Sequence, residues 1–374
     1  MESAVQTRVP SKQVTVLGRR MALVLPSRHD PRLRLAAVII SLQVLGQAVL
    51  GFKVSIAQIL VTVAVCAAIE VGITAWRSGV ILWPGSALLT GNSVSFILRA
   101  AGTRHGDWWS LNGIEFFVLA ALAAMASKYL VRPGGKHVYN PSNLGLVACL
   151  LIVGGPRVFP QYLWWGPLET PVILALVVIA LGAVWVCLRM RMLPMVLAFS
   201  VPFGLLVAAV AAGGRCFAAT WSQDPICGSA YFTNIALSPE LLVFVLFMMS
   251  DPKTSPRTTR GRALYGAATA LAAVAMLAIQ PTEYGIKVAV LASLTISCTV
   301  VPLIERWVER RGASEADPGY ARPRPVGWRL SLGPAEAACA LIAVAALAGV
   351  IVVAGDKRII EIENRGPSAG VVSQ

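Results

Sequence analysis

Two short basic segments of the chain, residues 128–143 and 250–262, combine the residue types that bind anions. In the first segment, Asn140 and Pro141 are typical of the cap and the first residue of a helix. Free N–H groups at a helix start, with Lys and Arg nearby, bind anions such as phosphate. The candidate binding residues are Lys136, His137, Asn140, Asn143, Asp251, Lys253, Thr254, Ser255, Arg257 and Arg262.

Two interpretations of these segments remain open from their residues. In one, they hold a phosphate of a flavin nucleotide or a lipid headgroup, and Asn140 and Asp251 cap helices. In the other, they are capped loops whose cations only orient the chain in the membrane and contact anionic lipid. His137 is either a proton carrier or a hydrogen-bond donor within its loop. The sequence has no nucleotide-binding, hydrolase or zinc-protease motif, so it predicts no catalytic and no metal-ligating residue.

The composition places both segments in a membrane protein. Of the 374 residues, 56% are hydrophobic and only 13% are charged, whereas soluble domains carry about 25% charged residues. Several apolar segments approach the ~20 residues that cross a bilayer. The sequence therefore predicts an all-α polytopic membrane protein and excludes a soluble globular domain. The segments lie at about 35–52, 54–76, 79–98, 113–131, 141–156, 171–188, 192–213, 237–250, 264–280, 285–304 and 336–354.

The excess of basic residues has an explanation in membrane topology. The chain has 32 Lys and Arg against 18 Asp and Glu, a net charge of +14. If all eleven segments cross and the N-terminus is cytoplasmic, 23 of the 32 lie on the cytoplasmic side, as the positive-inside rule expects. We therefore predict a multi-pass plasma-membrane protein without a nucleic-acid partner. Cys216 and Cys227 then share an external loop, either as a disulfide or as two free thiols.

The apolar segments define the predicted domain organisation. The segment 79–98 contains Pro84, Gly85 and Asn92, so it is predicted as a broken or re-entrant helix. Around it, the sequence predicts a basic cytoplasmic tail, a transmembrane core, a polar linker, a further transmembrane helix and a polar tail. Their ranges are 1–34, 35–307, 308–335, 336–354 and 355–374.

Two parts of the core, at about 79–156 and 222–304, resemble each other. Duplicated halves are common in transporter-like folds, whose binding sites lie near the interface of the repeats. The sequence therefore predicts an internally duplicated core of about ten helices plus one C-terminal helix. The matching residues are Glu115, Lys128 and Arg132 with Glu240, Lys253 and Arg257, each pair 125 positions apart, and the Gly-Ser-Ala triplets at 85–87 and 228–230.

Several motifs resemble known membrane families. GKHVYNPSNLG at 135–145 and FMMSDPKTSP at 247–256 are similar to the NqrB/RnfD family, the membrane proteins of the Na⁺-pumping quinone reductase and of the Rnf electron-transport complex, over about 85–305. A second resemblance, over about 30–307, is to the UnbU-like integral membrane proteins of enediyne biosynthesis. It is carried by DPRLRL at 30–35, SLQVLGQ at 41–47 and HGDWWS at 105–110.

The two resemblances imply different functions. The electron-transport family implies flavin binding and electron transfer within a complex of several membrane subunits. Its covalent flavin is attached to Thr in a Ser-Gly-Ala-Thr motif that this chain lacks, which leaves noncovalent FMN or riboflavin as the cofactor. The UnbU-like resemblance implies an accessory or transport protein for an apolar small molecule such as an enediyne, without a redox cofactor. The sequence favours this second function, with a flavin- or quinone-linked electron-transport subunit as the alternative.

Overall fold

A computed structural model describes most of the first 310 residues. The described residues are 11–16, 18–25, 31–48, 51–132, 137–161, 192–251 and 253–310, with the single helical positions 170, 173, 177 and 181. Apart from those single positions, the predicted segment 171–188 lies outside this part of the chain. The predicted helix 336–354, residues 311–335 and 355–374, and Lys136 also lie outside it.

The described part is mainly helical. Its helices are α1 (Pro31–Ala48), α2 (Ile56–Ser78), α3 (Gly85–Ile97), α4 (Ile114–Leu130), α5 (Pro141–Val153), α6 (Leu193–Ala212), α7 (Gly228–Ala236), α8 (Pro239–Val243), a π-helical segment (Phe244–Met249), α9 (Thr259–Leu277) and α10 (Glu283–Arg310). Its strands are β1 (Ser11–Val16), β2 (Arg19–Val24), β3 (Val80–Leu82), β4 (Leu98–Ala100), β5 (Val158–Pro160), β6 (Cys216–Phe217) and β7 (Ile226–Cys227).

Four helical stretches in the described part have the length and composition to cross a bilayer. They are Ile56–Ser78, Leu193–Ala212, Gly228–Met249 and Glu283–Arg310. Their apolar side chains are partly exposed, for example Leu197, Val201 and Leu205 on α6, as expected where lipid replaces water. These helices support a multi-pass membrane protein.

The N-terminal region contains two β-strands that its polar composition does not predict. β1 and β2 form an antiparallel hairpin, and β2 pairs in parallel with β3, which follows α2. The region predicted as a tail at 1–34 therefore includes two strands and the beginning of α1. This helix begins at Pro31, four residues before the predicted apolar segment, because proline suits the first turn of a helix.

The predicted broken segment at 79–98 is a short helix, α3, between strands β3 and β4. At its start, Ser86 Oγ accepts a hydrogen bond of 3.1 Å from Lys128 Nζ near the end of α4. Past its end, Ala101 O accepts a bond of 2.7 Å from Asn112 Nδ2, just before α4 begins. The segment therefore runs the whole length of α4 in the opposite direction and does not turn back within the bundle.

The two ends of the bundle can be told apart by their chemistry. We call the end with Lys128, His137 and Lys253 the basic end, and the end with Cys216 and Cys227 the disulfide end. α4 runs towards the basic end and α5 runs back, since Cys149 Sγ on α5 lies 3.4 Å from Phe116 O at the start of α4.

The helices of the second half run in directions opposite to their counterparts in the first. Tyr284 OH, at the start of α10, donates a bond of 2.7 Å to Leu150 O, late in α5. α10 therefore begins at the disulfide end and runs towards the basic end. Tyr265 OH on α9 lies 3.4 Å from Cys298 Sγ on α10, so α9, which precedes α10, runs the other way.

The same packing pattern occurs in both halves. α3 packs on α2 as α7 packs on α6, α4 packs on α5 as α9 packs on α10, and α2 contacts α4 as α6 contacts α9. Because the directions are opposite, the two halves form an inverted repeat. The triplets at 85–87 and 228–230 begin the equivalent helices α3 and α7. The alignment at 125 positions instead joins α4 with α8, which hold different places in this pattern.

Glycines allow the closest helix contacts. A Cβ on Gly145 of α5 would overlap Ala120 O of α4, and a Cβ on Gly266 of α9 would overlap Met195 O of α6. A Cβ on Gly91 of α3 would lie 2.7 Å from Val63 Cα of α2. Small residues at helix interfaces let two backbones approach and gain van der Waals contact in a membrane. These contacts fix the helices that carry the basic loops.

Candidate functional site

The two basic loops meet at the basic end of the bundle. Asn140 caps α5, accepting a bond of 3.2 Å from Asn143 N at its Oδ1. Its Nδ2 donates a bond of 3.1 Å to Met248 O in the π-helical segment. The predicted cap is therefore present, and it also joins the first loop to the second. We call residues 137–143 and 250–258 together the basic junction.

Asn143 connects the basic junction to α10. Its Nδ2 donates bonds of 2.9 Å to Leu291 O and to Thr295 Oγ1. The side chain is buried. Asn143 therefore has a packing role between α5 and α10, two helices of opposite halves.

The second loop is folded around Asp251. Asp251 Oδ1 accepts a bond of 3.0 Å from Lys253 N, and its carbonyl oxygen accepts from Thr254 N and Ser255 N. Thr254 and Ser255 are buried, whereas Lys253 is exposed. Ser255 Oγ has no hydrogen-bond partner in the part of the chain that the structure describes. The turn therefore holds the hydroxyl group of Ser255 and the ammonium group of Lys253 two positions apart in one short loop.

The two predicted arginines of this loop have partners within the protein. Arg257 forms an ion pair with Glu305 on α10, with 3.5 Å between Nε and Oε1. Arg262 is buried and donates from Nε to Pro256 O at 3.2 Å. Thr258 Oγ1 caps α9 by accepting a bond from Gly261 N, so the prediction that Asp251 caps this helix is wrong. Both guanidinium groups therefore support the loop itself.

The electrostatics of the basic junction are set by cations. Burial and the charges of Lys253, Lys128 and Arg132 lower the pKa of His137 from its ordinary 6.5 to about 4. Burial raises the pKa of Asp251, and the N–H and the charge of Lys253 oppose that rise. Cations of both loops thus act on one histidine, which is neutral at pH 7. Such a concentration of positive charge attracts anions.

Lys128 also takes part in a buried ion pair. Its Nζ lies 2.9 Å from Glu70 Oε2, and both side chains are about nine-tenths buried. The pair joins α2 to α4 near the start of α3, so Lys128 serves the bundle as well as the basic junction.

A second charged cluster was missed from the sequence. Lys287 Nζ on α10 lies 2.9 Å from Glu240 Oε1 on α8 and 2.7 Å from Glu283 Oε1 on α10. The exposed fractions of the three side chains are 6%, 13% and 5%. A Glu and a Lys four residues apart in an apolar helix are the signal that could have found it. We call these three residues the buried triad.

A partly open cavity of about 50 Å³ adjoins the buried triad. Ile97, Pro160 and Gln161 contribute to it from the first half of the chain. Gln161 is 2% exposed, and its Nε2 has no hydrogen-bond partner among the described residues. The second half contributes mostly apolar side chains and two members of the triad: Ile235, Ser238, Glu240, Leu241, Val243, Phe244, Met248, Lys287, Val290 and Leu291.

A disulfide bond connects two cysteines at the disulfide end of the bundle. Cys216 and Cys227 are bonded to each other and join the two-residue strands β6 and β7. Of the two alternatives left by the sequence, the disulfide is confirmed. It fixes the chain just before α7 begins at Gly228.

These features define a helical multi-pass membrane protein with two halves of opposite direction, a basic junction and a buried triad. The model of the NQR2, RnfD, RnfE family matches residues 163–314. This match covers about two-fifths of the chain and includes α6 to α10, the second basic loop and all three triad residues. The likeness to the electron-transport family is therefore supported over this region. No curated protein matches the chain, and the enediyne resemblance stays a prediction.

Proposed function

We propose that the chain is an integral membrane subunit of the electron-transport type, which binds the phosphate end of a noncovalent flavin at the basic junction. The observation that carries this proposal is the bond between Asn140 and Met248, which brings the two loops together. The family match over the second loop supports the same function. In this function the chain works beside other membrane subunits.

The residues of the basic junction fit a phosphate group. Lys253 offers an exposed ammonium group, and Ser255 offers a buried hydroxyl without a partner among the described residues. His137 and Asn140 lie where α5 begins, an end of a helix that favours anions. When bound, FMN would supply electron transfer. The part of this chain is to bind the phosphate and hold the cofactor at the basic end.

Covalent attachment has no counterpart in the sequence. Thr233 follows the Gly-Ser-Ala triplet at 228–230 and is exposed on α7. Its hydroxyl donates a hydrogen bond of 3.3 Å to Ala230 O. Thr220, after the string Phe-Ala-Ala, is also exposed. Neither lies in a Ser-Gly-Ala-Thr motif, so the proposal is for a flavin that denaturation releases.

The absorption spectrum of the full chain purified in detergent tests this proposal. We expect a flavin band after incubation with FMN, and release of that flavin on denaturation. Lys253→Ala should lower the bound flavin several-fold because it removes a cation from the basic junction. Arg260→Ala is the matched control, since Arg260 is exposed on α9 and also carries one positive charge. Its flavin content should equal that of the unchanged protein.

Two results would contradict the proposal. A protein that stays colourless after incubation with FMN and gentle gel filtration would exclude flavin binding and would favour the accessory role in enediyne biosynthesis. Equal flavin loss in Lys253→Ala and Arg260→Ala would mean that total charge, and not the basic junction, governs binding.

A further inference from the structure

One buried amide group lines the cavity without a protein partner. The side chain of Gln161 is 2% exposed and contributes to the lining, and its Nε2 has no hydrogen-bond partner among the described residues. Gln161 N donates a bond to Ile97 O, which holds the residue against the end of α3. Leaving a buried donor without an acceptor is costly, so this position favours a bound molecule that supplies an acceptor.

The other polar residues of the lining interact with the protein itself. Ser238 Oγ donates a bond of 3.2 Å to a backbone carbonyl oxygen of its own segment and accepts one of 3.1 Å from a backbone N–H. Lys287 Nζ lies 2.9 Å from Glu240 Oε1. The amide of Gln161 differs from them, and the atom that it requires is an acceptor such as a carbonyl oxygen.

The rest of the lining is apolar, with Phe244, Met248 and Leu291 among its side chains. A mainly apolar pocket with a few placed polar groups is the usual form of a small-molecule site. The volume of about 50 Å³ is smaller than the ~150 Å³ of a cavity that binds benzene. The cavity therefore holds one end of a molecule, and its open side leaves room for the remainder.

The cavity lies between the two halves of the inverted repeat. Its lining extends from Lys287, in the first turns of α10, to Met248, whose carbonyl oxygen accepts the bond from Asn140. It therefore lies at a depth between the disulfide end and the basic end. Membrane transport proteins with inverted repeats bind their ligands at such an interface, near the middle of the bilayer.

We propose that this cavity binds the carbonyl end of an apolar molecule. Gln161 Nε2 donates a hydrogen bond to the carbonyl oxygen, and the side chains of Phe244 and Met248 contact the adjoining carbon chain. The ligand is neutral, because burying a charge against a mainly apolar lining would be costly. Its residues are different from those of the basic junction, so the proposal does not depend on flavin binding.

Thermal unfolding of the full chain in detergent tests this site with two probes. Methyl nonyl ketone has a carbonyl group next to one end of an apolar chain, whereas undecane has the chain alone. A ligand that binds the folded protein stabilises it. We therefore expect the ketone to raise the unfolding temperature by several degrees more than undecane does.

A matched pair of variants tests the role of the amide. Gln161→Met keeps nearly the same side-chain length and removes the N–H donor, so it should abolish the difference between the ketone and undecane. Gln13→Met is the control, because Gln13 is exposed on β1. This variant should keep the difference seen in the unchanged protein.

A free metabolite and the ester group of a bilayer lipid both present such a carbonyl. A phospholipid with ester-linked chains and its ether-linked analogue separate these two sources. Greater stabilisation by the ester form, lost in Gln161→Met, would assign the site to a lipid. Equal stabilisation by the two phospholipids, together with the effect of the ketone, would assign it to a free molecule.

The unchanged protein alone can overturn the proposal. Equal unfolding temperatures with the ketone and with undecane would exclude a site for a carbonyl group. A difference between the two probes that persists in a folded Gln161→Met protein would place the binding elsewhere.

Discussion

Asn140 and Met248 lie on different halves of the chain and share a hydrogen bond of 3.1 Å between Nδ2 and the carbonyl oxygen. The same Asn140 side chain caps α5 through Oδ1. One amide group thus satisfies a free N–H at the start of α5 and a carbonyl near the end of the π-helical segment. The position of the second basic loop therefore depends on the cap of the first.

Replacing Asn140 should weaken the bundle measurably. Asn140→Ala removes the cap and the bond to Met248, and we expect a loss of about 1–3 kcal/mol. Thermal unfolding in detergent measures it. Asn234→Ala is the control, since Asn234 Nδ2 bonds only to Ala230 O of its own helix in the described contacts. Equal losses in both variants would contradict the connecting role of Asn140.

Acid should destabilise the protein through His137. The folded protein holds the pKa of His137 at about 4, below its ordinary value, so the unfolded chain binds the proton first as the pH falls. The free energy of unfolding should therefore decline between pH 6.5 and pH 4. His137→Gln should reduce this decline, measured as the unfolding temperature against pH. An unchanged pH profile would show that His137 does not contribute.

The cation at position 253 should strengthen the same effect. Lys253→Ala removes a positive charge that lowers the pKa of His137. That pKa should move up towards 6.5, and the acid-dependent loss of stability should become smaller. The unfolding temperature of Lys253→Ala across the same pH range measures this, with Arg260→Ala as the charge-matched comparison. A profile identical to that of Arg260→Ala would contradict a specific contact between the loops.

A methyl group at Gly145 should disrupt the contact of α4 with α5. The added Cβ would overlap Ala120 O, a backbone atom that cannot move aside alone, so we expect Gly145→Ala to cost about 1–3 kcal/mol. Gly204→Ala on α6 is the control, because a Cβ there meets nothing within 4 Å. Chemical unfolding of both variants measures the difference. A Gly145→Ala protein as stable as Gly204→Ala would contradict the packing.

Reduction of the disulfide should loosen the other end of the bundle. Cys216 and Cys227 are 11 residues apart, and closing such a loop stabilises by about 2–4 kcal/mol. A reductant should therefore lower the unfolding temperature. The double variant Cys216→Ser with Cys227→Ser should have that lower temperature already and should not respond to reductant. In whole cells, labelling of the reduced thiols by a membrane-impermeant reagent tests the predicted external location.

The helices of the core could be predicted because apolar runs of membrane length leave little choice of structure. The limits of α2, α4 and α6 fall within two residues of the predicted segments. The stretch at 228–249 could not be predicted as two short helices and a π-helical segment. In the sequence, the Gly-Ser-Ala triplet at 228–230 and the apolar segment that begins at 237 are separate features. No proline lies between them, and the first residue that breaks a helix is Pro239.

Contacts between residues that lie far apart in the chain could not be predicted from the sequence. Glu283 and Lys287 are four residues apart, but their partner Glu240 comes from another helix. The residues spaced by 125 positions predict a repeat that aligns α4 with α8, whereas the packing makes α4 equivalent to α9 and α5 equivalent to α10. An inverted repeat places equal helices in opposite directions, so matching polar residues on them need not face the same side of the membrane.

The parallel pairing of β2 with β3 has a consequence for biosynthesis. Because β3 follows α2, the hairpin leaves the ribosome well before the strand that it joins. The edge of β2 that pairs with β3 stays unpaired until α1 and α2 have been synthesised. An early partner for that edge would compete with β3, because the hairpin cannot reach its final neighbour until Leu82 has left the ribosome.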